Sequence, residues 1–433
     1  MKKKRIKRKV KIFVLILIIS LIIGVFLFNK KDTPKKVIKK DNIVDTIYNK
    51  INDESVNKDF IKWINTNYKD SLVKLDKLLD SDEYNLSMWH KVTDNSYIVL
   101  NDLYNKKYDS MDNIKIIDSK NNSLSFVGDV SLADNWFIAP KYDSEGGIEG
   151  VLSKDILKEM RDTDLMVVNS EFTVSNRGSA LKGKLYTFRA KPERLKIYDE
   201  MGVDLVTLAN NHVYDYGEDA FQDMLKAFDK YKIPRVGAGK NIDEAKKPYY
   251  FIINGYKIAI VNATRAEKYI MTPGATKTQG GVFRCYDPEP MINLIKELKK
   301  ETDYVIPVIH FGREDSHELE DAQVSSAKAY IDAGASMVVG HHAHTLQGVE
   351  IYKDKPIIYN LGNFLFNDLK VDTAIYKVIL NDDGTMEYYM IPALQENSST
   401  KLLSGSEKQR VINDINSWSI NAYLDKNGKI EKK

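Results

Sequence analysis

The chain has 433 residues, 43% hydrophobic and 29% charged, with 64 Lys or Arg against 61 Asp or Glu and a net charge of +3. Residues 1–40 hold 14 Lys or Arg and one Asp, a net of +13; taking this from +3 leaves −10 for residues 41–433, which excludes a basic footprint for nucleic acid outside the N-terminus. One cysteine, Cys285, excludes an intrachain disulfide, a composition that suits a bacterial surface protein better than an extracellular animal one.

The first eleven residues contain eight Lys or Arg, and an apolar run follows from Ile12 to Phe28, broken only by Ser20 and Gly24. At about 1.5 Å rise per residue this run is long enough to span a bilayer, at the short end of the range. The basic flank stays in the cytoplasm by the positive-inside rule, so the bulk of the chain is expected outside a cell membrane. Val25-Phe26-Leu27-Phe28 offers no small-x-small cleavage site, and no cysteine is placed for a lipid anchor. The expectation is a single-pass signal-anchor over residues 12–28 that is retained.

Residues 30–40 form a charged tether containing Pro34. Residues 41–118 place apolar side chains at helical spacing (Phe60, Ile61, Ile64, then Leu72, Leu75, Leu78, Leu79) and predict a small helical module, packed through Trp63, Trp89 and Tyr97. No chemistry is legible in it.

From Leu124 to Leu394, within a domain assigned to residues 119–433, short apolar runs alternate with helical stretches, which predicts an α/β domain. The helices are expected at Lys154–Arg161, Pro192–Met201, Gly217–Tyr231, Pro288–Lys300 and Asp321–Gly334. Hairpins are expected at Tyr249–Ile253 with Lys257–Val261 around Asn254-Gly255, and at Ala374–Leu380 with Met386–Ile391. A mixed sheet, or two stacked sheets flanked by helices, accommodates both. The tail, Gln409–Ile430, reads as a helix and a short strand.

Five polar clusters stand where apolar runs end: Gly128-Asp129, Asn169-Ser170-Glu171, Asn210-Asn211-His212, His310-Phe311-Gly312 and Gly340-His341-His342-Ala343-His344. Strand ends of an open α/β sheet converge on one crevice. Carboxylate, amide and imidazole ligands without a thiolate suit a hydrolytic divalent-metal site, and this mixture favours manganese, iron or zinc over magnesium or calcium.

Leu124 to about Ile391 resembles the capsule-synthesis (CapA, poly-γ-glutamate biosynthesis) proteins, of the calcineurin-like metallophosphatase superfamily. The residues that carry the resemblance are FVGDVSL from Phe126, VNSEF from Val168, LANNHVYDYG from Leu208 and VGAG from Val236. They continue with VIHFGRE from Val308, GHHAHTLQGVE from Gly340 and IYNLGNFLF from Ile358. The resemblance implies a four-layer αββα sandwich with metal ligands Asp129, Glu171, Asn211, His310, His342 and His344. It also implies His212 as a proton donor oriented by Asp215, with His341 behind the HxH pair. Where related phosphatases carry a His two residues after the first Asp this chain has Ser131, and where they carry a bridging Asp it has Glu171. Both changes fall on one metal position, leaving it Asp129, Glu171 and His344, so one or two ions are compatible with the pattern.

Arg189 and Arg265 are candidate grips for an anionic substrate. Asn360 and Asn363 read as groups that shape the loop after the HxH pair, and His317 as exposed. Three functions fit. One is an anchored extracellular protein of anionic capsule polymer synthesis or export, partnered by membrane-bound synthesis or export proteins. The second is a surface metallophosphoesterase acting on an envelope or nucleotide phosphate ester, and the third a non-catalytic polymer-binding protein.

Overall fold

The computed structural model describes residues 114–116, 121–253, 256–267 and 271–433. The expected anchor at 12–28, the tether at 30–40 and, apart from Ile114–Ile116, the helical module at 41–118 lie outside the described residues, as does the Asn254-Gly255 turn. Among the described residues, no helix is long and apolar enough to cross a membrane.

The chain divides into two compact units, residues 1–122 with 250–257, and residues 123–249 with 258–433. In the first, Ile114–Ile116 is a strand paired in parallel with Tyr250, Phe251 and Ile252. The second is a mixed α/β, sheet-rich unit with two main sheets.

One of its sheets runs in the order Ser399–Leu402, Met386–Glu396, Val371–Leu380, Ser123–Val130, Leu165–Ser170, Leu205–Thr207 and Arg235–Val236, with Asn363–Leu365 also paired to Ser123–Val130. The last four strands of that path are mutually parallel, and the first three join them through antiparallel pairs. The other sheet runs from residues 258–264 through Tyr304–Phe311, Val338–His342 and Lys355–Ile358, all parallel, to the antiparallel strand Val349–Tyr352. Ser123–Val130 and Leu165–Ser170 are buried at every position, as strands covered on both faces should be.

Helices form where the spacing places them. Lys154–Arg161 starts at Ser153, whose side chain accepts from Ile156 N, and buries Ile156, Leu157 and Met160. Asp321–Ala333 opens with a capping box between Glu320 and Gln323 and closes at Gly334 in the left-handed conformation. Gly217–Tyr231 has its expected bounds, and Glu289–Leu298 falls inside the expected 288–300. Pro192–Met201 divides into a 3-10 turn, Pro192–Leu195, and a helix, Lys196–Met201. Ile138–Ser144 and Ile148–Val151 are further helices that no periodicity announced. The tail forms a helix, Gly405–Trp418, followed by two short antiparallel strands, Ala422–Leu424 and Ile430–Lys432, rather than one.

Two glycines let the site assemble. A Cβ on Gly128 would lie 1.9 Å from Gly362 O, and one on Gly340 would lie 2.0 Å from Tyr359 O. Only glycine lets these strands pass so close to the 359–362 backbone. The pairing of Ser123–Val130 with Leu165–Ser170 shifts register between Val127 and Asp129, a bulge at Gly128 that re-aims the Asp129 side chain.

Candidate metal centre

The C-terminal ends of five parallel strands deliver the five clusters to one place. Asp129 stands near the end of Ser123–Val130, Glu171 just after Leu165–Ser170, Asn211 and His212 beyond Leu205–Thr207, His310 near the end of Tyr304–Phe311, and His342 at the end of Val338–His342. Asp129, Glu171, Asn211, His212, His310 and His342 are all buried.

Two groups of ligand atoms lie mutually within 4.8 Å: one from Glu171, His310 and His342, the other from Asp129, Glu171 and His344. Glu171 belongs to both. Its Oε1 is 3.6 Å from His310 Nε2 and 4.0 Å from His344 Nε2, and it is buried with no hydrogen-bond partner. A buried carboxylate oxygen without a donor is costly unless a cation meets it. His310 Nε2 is 2.8 Å from Asn211 Oδ1, so the amide oxygen points at the first group. Asn169, to which no role was assigned from sequence, ties the groups together. Its Nδ2 lies 2.8 Å from Asp129 Oδ1 and 3.1 Å from Glu171 Oε2, and 3.4 Å from His310 Nδ1.

The HxH segment is held in an unusual backbone. His342 and His344 both have positive φ, +100° and +57°. Such conformations cost about 1–3 kcal/mol each and persist where the surroundings impose them, often at functional sites. Asp129 Oδ2 accepts from His342 N at 3.3 Å, His344 Nδ1 is 2.8 Å from Asn363 Oδ1, and His341 Nε2 is 2.8 Å from Val127 O. Asn363 thus aims an imidazole as well as shaping the loop, and His341 serves the backbone of the neighbouring sheet. Ser131 Oγ, at the position of the departure from the phosphatase pattern, is buried and without a partner.

Protonation divides the ligand set. Burial lowers His310 well below the usual imidazole value, helped by His342, and brings His342 down to about 3, helped by His344. Both are therefore neutral ligands near pH 7. Burial raises Glu171 well above the usual carboxylate range, and the charge of Asp129 adds to it. For Asp129 burial acts upward too, but the hydrogen bond from His344 and the surrounding imidazoles outweigh it and hold the carboxyl low. Burial pulls His344 down, yet its hydrogen bond to Asp129 and that residue's charge raise it above the usual value. These donors, distances and the partnerless Glu171 oxygen fit one or two divalent ions.

His212 stands outside both groups. Its Nδ1 is 2.7 Å from Asp215 Oδ2, while Nε2 is 4.0 Å from Glu171 Oε1. The loop that carries it is fixed by its own polar residues: Asn210 Oδ1 accepts from His212 N, and Asn210 Nδ2 donates to Ser170 O. Asp215 also accepts from Phe188 N at 2.7 Å, and its Oδ1 is 2.7 Å from Lys184 Nζ. Lys184 further reaches Glu267 Oε1 at 3.2 Å and Asn211 O. Lys184 and Glu267 were assigned no role from sequence, although they lie within a few residues of Arg189 and Arg265.

A cleft of about 600 Å³ opens beside the cluster, with His212 and His344 in its lining together with Glu314, Phe188 and Phe366. The structure does not bring Arg189 or Arg265 into that lining. Arg189 stacks over Tyr216 at 4.2 Å, donates to the carbonyls of Arg177 and Gly178, and lines a separate cavity of about 270 Å³. The Arg265 amide donates to His310 O, but its guanidinium lies over the Tyr286 ring, 4.4 Å from the centroid. His317 is exposed, and it stacks on Trp418 with centroids 4.1 Å apart.

Residues 123–368 match the family described as bacterial capsule synthesis protein PGA_cap. The PGA biosynthesis protein CapA of Bacillus subtilis (strain 168) is 30% identical over 71% of this chain and 81% of its own length. The capsule biosynthesis protein CapA of Bacillus anthracis is 35% identical over 52% of this chain, a match that spans 56% of that protein. A probable polyglutamine synthesis accessory protein of Mycobacterium tuberculosis is 27% identical over 46% of this chain and 55% of its own. Among solved structures, a 5'-nucleotidase from Candida albicans aligns with 63% of this chain and 52% of its own, at 11% identity and a TM-score of 0.34. On the extent of the family match and of the Bacillus subtilis alignment, this chain belongs to the bacterial capsule synthesis protein family.

Proposed function

We propose that this protein acts at the outer face of a bacterial cell membrane in the synthesis or export of an anionic, poly-γ-glutamate-type capsule polymer. Residues 12–28 would hold it there, with residues 1–11 in the cytoplasm, 30–40 as tether, 41–118 as a helical module and 119–433 as the working domain. Membrane-bound proteins of the same capsule machinery are the natural partners, and the capsule and PGA biosynthesis named for the Bacillus relatives supports this reading. The domain is read as a four-layer αββα metallophosphatase-like sandwich.

The observation that carries the metal site is Glu171 Oε1, buried, without a hydrogen-bond partner and common to both ligand groups. Glu171, His310 and His342 with Asn211 would hold one ion, and Asp129, Glu171 and His344 a second. Such ions supply Lewis acidity to a hydrolytic reaction. His212 then handles the proton. With Nδ1 committed to Asp215, it gives or takes a proton at Nε2, which faces the ligand cluster. Burial lowers His212 despite the opposing charge of Asp215, so the ring rests neutral, and an anionic group arriving beside Nε2 would raise its proton affinity. Lys184, 2.7 Å from Asp215 Oδ1, holds that carboxylate in place. This pairing of a proton-handling imidazole with ligand groups favours, as a second reading, a metallophosphoesterase over a purely binding protein.

Replacing the chromosomal gene with an Asp129→Asn, His342→Ala version tests the function. Cell-bound polymer should fall to near background while the protein remains at its normal level in the membrane fraction. Unchanged polymer would sink the catalytic reading and leave a binding role. For the topology, a mature N-terminus beyond Phe28, or recovery of the protein free of membranes, would overturn the retained anchor.

A further inference from the structure

The separate cavity lined by Arg189 carries charge that the metal centre does not use. It lies across a ridge from the cleft beside the ligand cluster. Residues 134–137 and 186–191 build that ridge, and neighbours along each stretch line different hollows. Trp136 and Phe188 line the cleft, whereas Asn135, Arg189 and Lys191 line the cavity. Asn135 ties the two stretches together: its Nδ2 donates to Thr187 O at 2.9 Å, and its Oδ1 accepts from Arg189 N at 3.1 Å. At about 270 Å³ the cavity is smaller than pockets that enclose a whole organic ligand, and it suits one functional group of a longer molecule.

The charge balance of the cavity points to an anion. Asp134 is the one carboxylate in its lining among the described residues, and both its oxygens are occupied. Oδ1 is 2.8 Å from Arg194 Nε, and Oδ2 accepts from Lys191 N at 2.6 Å. Two cations stand against it. Arg189 is half-buried, with the face of its guanidinium on Tyr216 and Nη1 donating to Arg177 O and Gly178 O. Those contacts hold the group and leave Nε and Nη2, in the plane of the fork, without an acceptor among the described residues. Lys191 is exposed, and its Nζ pairs with no carboxylate among the described residues. Other arginines of this fold show what such a fork ordinarily finds. Arg177 grips Asp223, Arg194 grips Asp143 and Arg410 grips Asp372, each through two nitrogens. A positioned arginine with an open fork, beside an unpaired lysine, is an arrangement that binds a carboxylate or phosphate.

We infer that this cavity is a second subsite for the anionic polymer, gripping one pendant carboxylate of a poly-γ-glutamate-type strand that crosses the ridge from the ligand cluster. The inference rests on the anionic-polymer reading and adds to it a dependence on chain length. A short oligomer occupies the cleft alone, while a longer one gains the cavity at high effective concentration.

Calorimetry on the full chain in a neutral detergent, with metal supplied, tests it with di-γ-glutamate and deca-γ-glutamate. The decamer should bind about tenfold more tightly than the dimer, or better. Lys191→Ala and Arg189→Gln should each weaken decamer binding by about threefold or more and leave dimer binding unchanged. The Lys191 side chain is exposed, so its replacement leaves folding intact, and Lys191→Arg should keep the decamer affinity. Lys426→Ala, the same loss of charge at an exposed lysine of neither lining, should change nothing. Metal content should be the same in every variant. Decamer affinity that ignores Lys191→Ala, or that falls equally with Lys426→Ala, would overturn the subsite and leave the polymer reading standing. Tighter binding of a polyphosphate of equal charge, with the same loss in Lys191→Ala, would make the cavity a phosphate site and overturn it as well. Binding of neither oligomer by metal-loaded protein would overturn the polymer reading, and the subsite with it.

Discussion

Lys184 Nζ lies 2.7 Å from Asp215 Oδ1, and the other oxygen of the same carboxylate lies 2.7 Å from His212 Nδ1. The Lys184 side chain is 8% exposed and that of Asp215 is fully buried. One ammonium thus fixes the carboxylate that orients the imidazole, and through Asn211 O it also pins the loop carrying an amide ligand. Breaking a buried pair by removing one partner leaves an uncompensated charge, which costs more than the pair contributed. Lys184→Met should therefore lower unfolding free energy by about 3 kcal/mol in denaturant titrations, and adding Asp215→Asn should restore part of it. A loss under about 1 kcal/mol for Lys184→Met would show that Asp215 does not depend on it.

Glu171 is shared by both ligand groups, whereas His342 and His344 each belong to one. Elemental analysis should find that Glu171→Ala empties both positions and that His342→Ala and His344→Ala each lose one ion. His212→Ala should keep its metal and lower any hydrolytic turnover by roughly 10²-fold or more. Loss of metal from His212→Ala equal to that from His342→Ala would make His212 a ligand and end its role as proton carrier.

Metal uptake should release protons. His310 and His342 are lowered and enter as free bases, but Glu171 and His344 are raised, so near neutral pH a cation must displace protons from them. The sign follows: affinity rises with pH through the neutral range and levels off once His344 is deprotonated, above its ordinary 6.5. Calorimetry in two buffers of different ionisation enthalpy measures the protons released. An affinity that stays flat between about pH 6 and 8 would contradict the assignment of His344.

Ser131 Oγ is buried and makes no hydrogen bond. Removing an unsatisfied hydroxyl costs nothing and can stabilise, so Ser131→Ala should change stability by less than about 1 kcal/mol and leave metal content unaltered. A Ser131→Ala protein that lost an ion would show that the hydroxyl takes the place of the missing imidazole.

The family, the α/β alternation and the five clusters were legible because each is local. A buried parallel strand is a short β-branched run, and polar residues at its end have little to do but face a crevice, so Asp129, Glu171, Asn211, His310 and His342 are found one motif at a time. The helices Lys154–Arg161 and Gly217–Tyr231 were legible for the same reason, with their apolar faces, and for the first its Ser153 cap, written within a few residues. Arg189 and Arg265 show where that reasoning stops. Arg189 opens a two-residue strand and Arg265 follows Tyr256–Thr264, but Tyr216 and Tyr286, more than twenty residues away in the chain, take up their guanidinium groups.

By itself, then, the sequence determined which residue types arrive at the crevice and in what chain order, since spacing and strand composition are properties of neighbours. Only the tertiary structure decided that one Glu171 oxygen is common to two ligand groups and that Asn169 ties them together. It also decided that Lys184 grips Asp215, and that the stretch bringing Phe188 to the cleft brings Arg189 to a second cavity. Each of these depends on the close approach of segments separated by tens to hundreds of residues. The backbone contacts permitted by Gly128 and Gly340, and the positive φ at His342 and His344, set the side-chain directions that no local pattern encodes.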